Sequence, residues 1–227
     1  MADSSRSTAR PPPQTSLLKA RYLTFYNFIS AVLWFTVLGR TTLLIPLVGY
    51  ANIHGGVGNF ARWTQTLALM EILHSATGLV RAPLPTTALQ VASRLLLIQL
   101  IVPTFPHTTT ASPAYASMLV AWSSSEVVRY SYFAWALGAG SPRFIPGLLA
   151  WLRYNLFFVL YPLGIGSECW LVYRSIGPAG RLGAGWGTWV PVALWAVLAV
   201  YVPGSYVLYT HMMTQRRKVM KGKGRDE

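Results

Sequence analysis

Of the six carboxylates in this chain of 227 residues, Asp3, Asp226 and Glu227 stand in the tails. The other three, Glu71, Glu126 and Glu168, fall inside or beside apolar runs, where an ionisable group costs several kcal/mol unless it is paired or solvated. Each is therefore a candidate functional group. Glu168 follows Tyr161 by seven residues in the stretch Tyr161, Pro162, Leu163, Gly164, Ile165, Gly166, Ser167, Glu168. In an uninterrupted helix that spacing is about two turns, which puts both side chains on one face roughly 10 Å apart along the axis. Pro162, Gly164 and Gly166 predict a local distortion that brings them closer. A phenol and a carboxyl facing one cavity form a general acid/base pair. An interfacial tyrosine and a snorkelling glutamate would show the same spacing.

A second group gathers Ser123, Glu126, Arg129 and Tyr130 at i, i+3, i+6 and i+7, one stripe of a helix. Glu126 and Arg129 can neutralise each other there as an intrahelical ion pair, and a buried Tyr130 hydroxyl needs a partner. Glu71 precedes His74 by three residues, which places both on one face, with a helix-packing hydrogen bond as the first reading. His54, His107 and His211 fall in loops or at a helix end, and a metal centre is not expected. Cys169 and Arg174 are one residue too close for a cysteine-phosphatase loop and lack its phosphate cradle. No Walker loop, dinucleotide fingerprint or metalloprotease motif occurs, so the chemistry is expected to need no bound cofactor.

These groups must be positioned by membrane helices. Hydrophobic residues make up 53% and charged residues 11%, against roughly 25% charge in an average soluble domain. A crossing helix needs about twenty apolar residues. Six segments meet that need: about Tyr22 to Leu44, Phe60 to Val80, Thr87 to Val102, Ala114 to Leu137, Pro146 to at least Leu163, and Thr188 to Thr210. The third, carrying Arg94 and Gln99, is the weakest. Gly49, Gly55, Gly56 and Gly58 are expected to turn the chain between the first two, and a glycine-rich loop to span Gly177 to Gly187, with a seventh short segment possible around Cys169 to Tyr173. The expected organisation is a basic tail over 1–20, a transmembrane domain over 21–211 and a second basic tail over 212–227.

The net charge of +13 is concentrated at the ends: Arg6, Arg10, Lys19 and Arg21 before the first segment, and Arg216, Arg217, Lys218, Lys221, Lys223 and Arg225 after the last. Basic tails that flank apolar segments mark cytoplasmic ends, an even number of crossings keeps both on one side, and Arg81 and Arg143 in the intervening loops agree. Without a basic, aromatic-rich fold signature, nucleic-acid binding is not expected. The single cysteine, Cys169, cannot form an internal disulfide.

Three stretches resemble one known family. Trp122 to Trp135 (WSSSEVVRYSYFAW), Trp151 to Glu168 (WLRYNLFFVLYPLGIGSE) and Glu71 to Arg94 (EILHSATGLVRAPLPTTALQVASR) are similar, in order and spacing, to the very-long-chain 3-hydroxyacyl-CoA dehydratases, the protein-tyrosine-phosphatase-like A family. The resemblance implies an all-α enzyme of six transmembrane helices in the endoplasmic reticulum with both termini cytoplasmic. It implies the third step of fatty-acid elongation: loss of water from a 3-hydroxyacyl-CoA to give a trans-2-enoyl-CoA. The family's catalytic pair falls on Tyr161 and Glu168, and its supporting positions on Glu126, Arg129, Tyr130, Arg153 and Gly164. No cofactor is implied, since CoA is part of the substrate. The partners implied are membrane lipid and the other elongation enzymes, namely the condensing enzyme, the ketoacyl reductase and the enoyl reductase. Two other readings remain open at the level of sequence: a non-catalytic scaffold of the elongation machinery, disfavoured because Tyr161 and Glu168 are both present, and a transporter, which predicts a repeat between halves that is not found.

Overall fold

The computed structural model describes residues 17–139, 145–183 and 185–223. Arg143 and most of the glycine-rich stretch 138–142 lie outside them, as do residues 1–16 and 224–227. All regular structure among the described residues is helical. In chain order the helices are α1 (Leu17–Val48), α2 (Ile53–Thr66), α3 (Leu69–Ala76), α4 (Leu84–Leu95), the short α5 (Val102–Thr104) and α6 (Pro106–Thr109), α7 (Pro113–Gly138), α8 (Gly147–Asn155), α9 (Phe157–Ala179) and α10 (Trp186–Lys223). A π-helical turn, Leu96–Ile101, joins α4 to α5.

The all-α expectation holds. Among the described residues, three helical stretches are long and apolar enough to cross a membrane: Leu17–Val48, Leu84–Thr104 and Trp186–Val219. A fourth is added if α8 and α9, bent by 44° at Leu156, form one broken span. By those criteria the six expected segments reduce to three or four. The second is interrupted at Leu67 and Ala68, between α2 and α3. The fourth, α7, is long enough but carries Ser123, Ser124, Ser125, Glu126 and Arg129. The third, expected to be weakest, qualifies because the π turn carries the helix past Arg94 and Gln99 to Thr104.

Three local expectations are corrected. The helix does not distort at Pro162, Gly164 or Gly166: α9 runs unbroken from Phe157 to Ala179. The break falls earlier, at Leu156, and Pro162 is the sixth residue of the restarted helix. The segment around Cys169 to Tyr173 is part of α9 rather than a seventh element. Of the four glycines expected in the first turn only Gly49 lies there, with φ of 77° that favours glycine, while Gly55, Gly56 and Gly58 belong to α2. The glycine-rich connection also shortens, since α9 reaches Ala179 and α10 begins at Trp186.

Packing centres on α7, which lies against α1 on one side and α9 on the other, with α10 laid on α9. Trp34, Val37, Ile53, Leu97, Tyr115, Met118, Leu119 and Leu171 form the core between them. Large apolar side chains also face outward: Phe25, Phe28 and Phe35 on α1, and Trp189, Trp195, Val202 and Tyr206 on α10. Such broad apolar faces suit a lipid surround, and internally bonded helices suit a solvent that offers the backbone no partner. Polar contacts fasten the interior: Arg62 Nε and Nη2 donate to Gln99 Oε1, and Gln99 Nε2 donates to Thr66. His54 pairs with Tyr115 at 3.0 Å, and Ser117 with Ser167 at 2.7 Å.

The turn into α10 is tight. A Cβ on Gly187 would stand 2.6 Å from the Leu182 carbonyl oxygen and 2.9 Å from that of Gly180, whereas one on Gly55 would meet nothing within 4 Å. Gly187→Ala is therefore expected to destabilise the protein by about 1–3 kcal/mol, the usual range for overpacking. Gly55→Ala should leave the thermal midpoint in detergent unchanged or raise it.

Candidate active site

A cavity of about 390 Å³ opens between α7, α8, α9 and α10 and reaches residues of α1, α2, α3 and α4. All seven residues that the sequence singled out line it: Tyr161 and Glu168, with Glu126, Arg129, Tyr130, Arg153 and Gly164. The continuous α9 keeps Tyr161 and Glu168 on one side of the helix, as spacing alone required, without the expected kink. Both lie near the middle of the Gly147–Ala179 pair rather than towards its far end, because the helix continues well past Glu168.

Glu168 is buried, and each of its carboxylate oxygens accepts one hydrogen bond. Trp122 Nε1 on α7 donates to Oε1 at 2.7 Å, and the Tyr201 hydroxyl on α10 donates to Oε2 at 2.7 Å. The carboxylate is thus clamped between two helices in one orientation. The Tyr161 hydroxyl donates to the Ser205 carbonyl oxygen of α10 at 2.9 Å. Gly164, one helical turn from each of them, is buried where α9 approaches α7, and a methyl there would touch Ala121 at an ordinary 3.6 Å.

The opposite wall is a cluster of charges. Arg129 Nε donates to Glu126 Oε2 at 2.7 Å, the expected intrahelical pair. Its Nη2 and Nη1 donate to the two oxygens of Glu71, at 2.6 and 3.2 Å. Arg94 on α4 closes the group with an ion pair to Glu126. Two carboxylates and two guanidiniums therefore balance, which keeps the buried charge near zero. Tyr130 finds the partner that its hydroxyl needs in Glu71. Glu71 and His74 both make the helix-packing hydrogen bonds expected of them, to different helices: Glu71 binds Arg129 and Tyr130 of α7, while His74 Nε2 pairs with the Tyr22 hydroxyl of α1 at 2.8 Å. Ser123 keeps its place on the stripe, its hydroxyl bonding back to the Leu119 carbonyl at 2.6 Å.

Arg94 also lies over the Trp122 ring, 5.3 Å from its centroid, so the indole joins the charge cluster to Glu168. Arg153 stacks on Tyr132 and Phe133 at 4.7 and 4.5 Å. His211, expected at a helix end, lies within α10 and lines the cavity. Among the described residues no three of His, Cys, Asp and Glu gather as metal ligands.

Trp122, Tyr201, Arg94 and Gln65 are site residues that the sequence reading did not single out. One signal for Tyr201 was available: a tyrosine in the middle of an apolar helix, away from the interfacial belts, needs a buried hydrogen-bond partner. Gln65 on α2 is 1% exposed, and among the described residues neither its Nε2 nor its Oε1 has a hydrogen-bond partner. An unsatisfied buried polar group costs about 1–3 kcal/mol.

Fold and cavity together define a class: a helical protein with apolar helices of membrane-spanning length, built around a pocket lined by tyrosine, glutamate and arginine side chains. The chain belongs to the family described as protein tyrosine phosphatase-like protein, PTPLA, whose model matches residues 65–222. It is 42% identical over 209 residues to a probable very-long-chain (3R)-3-hydroxyacyl-CoA dehydratase of Schizosaccharomyces pombe, covering 91% of this chain and 96% of that one. It is 34% identical over 221 residues to the very-long-chain (3R)-3-hydroxyacyl-CoA dehydratase PASTICCINO 2 of Arabidopsis thaliana, covering 93% and 98%. With the very-long-chain (3R)-3-hydroxyacyl-CoA dehydratase 2 of Homo sapiens it shares 30% identity over 217 residues, covering 89% and 82%. No solved structure matches the chain.

The charge cluster makes a sharp prediction. Arg129→Met leaves the Glu71 and Glu126 carboxylates under-compensated in a buried setting, and breaking such a pair typically costs 3–5 kcal/mol. A large drop in the thermal midpoint of the detergent-solubilised protein is expected.

Proposed function

We propose that this protein is a 3-hydroxyacyl-CoA dehydratase of fatty-acid elongation, converting a very-long-chain 3-hydroxyacyl-CoA into the trans-2-enoyl-CoA and water. The observation that carries the proposal is that the Tyr161 phenol and the Glu168 carboxylate line one cavity from the same face of α9. The relatives' names supply the reaction class.

Dehydration takes a proton from C2, beside the thioester carbonyl, and breaks the C3–O bond. The Glu168 carboxylate accepts the C2 proton, and the electron pair of the C–H bond becomes the C2–C3 double bond. The C3 hydroxyl leaves with the Tyr161 proton as water. The phenolate is restored by the proton that Glu168 gained, so the cycle closes without a cofactor. Trp122 and Tyr201 hold the base in place, and clamping a reacting group in one orientation is worth several kcal/mol of barrier. Arg153, near the Tyr132 and Phe133 rings, and the neutral cluster of Glu71, Arg94, Glu126 and Arg129 support the wall that faces the reacting carbons. Gly164 leaves room on α9 between the two reacting side chains.

The acyl chain occupies the apolar interior, and the anionic carrier stays in water. Six crossings are assigned: α1, the broken α2–α3 pair, α4 through α5, α7, the bent α8–α9 pair, and α10. Charged α7 is tolerated inside the bundle because its ionisable groups face partners rather than lipid. Both termini lie on the cytoplasmic side of the endoplasmic reticulum, where their basic residues belong, and the other enzymes of the elongation cycle are the partners.

Purified protein supplied with a 3-hydroxyacyl-CoA should yield the enoyl product. Tyr161→Phe and Glu168→Gln should each lower kcat by about a hundredfold or more, the usual contribution of a general acid or base, while the thermal midpoint stays near that of the parent. Full turnover in both variants defeats the assignment.

Tyr201→Phe removes one of the two hydrogen bonds on Glu168 and keeps the ring. A hydrogen bond to a charged group contributes about 1.5–3 kcal/mol, so kcat should fall by about tenfold to a hundredfold with KM little changed. Steady-state kinetics that show a rise in KM alone would remove Tyr201 from this role.

A further inference from the structure

The polar residues on either side of Gln65 are satisfied inside the fold, since Arg62 and Thr66 both bond to Gln99. Gln65 is not. It is buried, lines the same cavity as Tyr161 and Glu168, and among the described residues it has no hydrogen-bond partner for either carboxamide atom. Trp34, also in that lining, is likewise almost fully buried, whereas Leu89 and Val200 are more than half exposed. Gln65 therefore belongs to the closed part of the cavity. A carboxamide kept there without a partner is poised for a ligand that brings one.

We propose that Gln65 binds the hydroxythioester head of the substrate, its Oε1 accepting from the C3 hydroxyl and its Nε2 donating to the thioester carbonyl. This rests on the dehydratase reading above. A carboxamide presents one acceptor and one donor side by side. A 3-hydroxyacyl thioester presents the complementary pair, a hydroxyl on C3 and a carbonyl oxygen on C1, separated by the single carbon that loses its proton. The acyl tail offers neither, and the amides of the carrier arm lie beyond the sulfur, towards water.

Two consequences follow for the reaction. As the C2 proton leaves, negative charge builds on the thioester oxygen, and the Nε2–H donor is placed to stabilise it. The enoyl product has lost its hydroxyl, so one of the two hydrogen bonds disappears with the chemistry and product is held less firmly than substrate. A saturated acyl-CoA never makes that bond, and a site that hydrogen-bonds a hydroxyl discriminates strongly against an analogue without it.

The test uses the full chain in detergent, with Gln65→Met as an apolar side chain of similar shape and Gln65→Glu as one that offers no N–H donor when ionised. The thermal midpoint of Gln65→Met should equal or exceed that of the parent, because the carboxamide has no partner to lose. Its kcat/KM for a 3-hydroxyacyl-CoA should fall by about tenfold to a hundredfold. Competitive inhibition by the saturated acyl-CoA of equal length should change much less, so the preference for the hydroxylated chain narrows. Gln65→Glu should also lose turnover. An unfolded Gln65→Met protein, an unchanged kcat/KM, or an equal loss for both ligands overturns the assignment. A parent protein that makes no enoyl product defeats the dehydratase reading itself, whereas an active parent matched by Gln65→Met defeats only the role of Gln65.

Discussion

A charge inside an apolar bundle has no water to turn to, and in this protein the constraint falls on four residues at once. Glu71 on α3, Arg94 on α4, and Glu126 and Arg129 on α7 are joined by three ion pairs, Glu126 buried and the other three partly so. Each guanidinium reaches a carboxylate, Arg129 reaches two, and Tyr130 donates to Glu71. Any sliding of α3 or α4 along α7 would strand a charge at a cost of several kcal/mol. The cluster therefore sets the relative heights of three helices and one wall of the cavity.

The other wall obeys a related rule with neutral donors. Among the described residues Glu168 has no guanidinium in hydrogen-bond contact; it is held by an indole from α7 and a phenol from α10. Arg94 bears on the face of that indole, so the position of the carboxylate depends on the same packing that seats the charge cluster. The bundle thus separates its carboxylates by partner: Glu71 and Glu126 pair with guanidiniums, and Glu168 with neutral donors.

Much of the site was readable because so few polar residues sit in the apolar segments that each one stood out. Tyr161 and Glu168 announced a common face through helical periodicity, and Glu126 and Arg129 announced an ion pair through i, i+3 spacing. Residues whose role depends on a distant partner were not readable in that way. The spacing of Glu71 and His74 pointed to hydrogen bonds between packed helices but could not name the partners, which are Arg129 and Tyr130 of α7 and Tyr22 of α1. The proline and glycines of α9 signalled a kink by composition, but the break formed at Leu156 and left the helix regular through Glu168. Trp122 and Tyr201 are ordinary aromatic residues of apolar helices until α7, α9 and α10 are brought together.

Composition and periodicity by themselves determined that the chain is helical, that its helices are apolar enough for a membrane, and which side chains share a helical face. Those properties follow from local spacing and from the cost of placing peptide groups and charges in hydrocarbon, so they need no knowledge of neighbours. Tertiary structure alone decided which carboxylates are neutralised, which one is held by neutral donors, where the bundle leaves space, and that Gln65 lies beside that space with no partner among the described residues. These depend on contacts between residues tens of positions apart, and the energies involved are set by burial and geometry that no local pattern encodes.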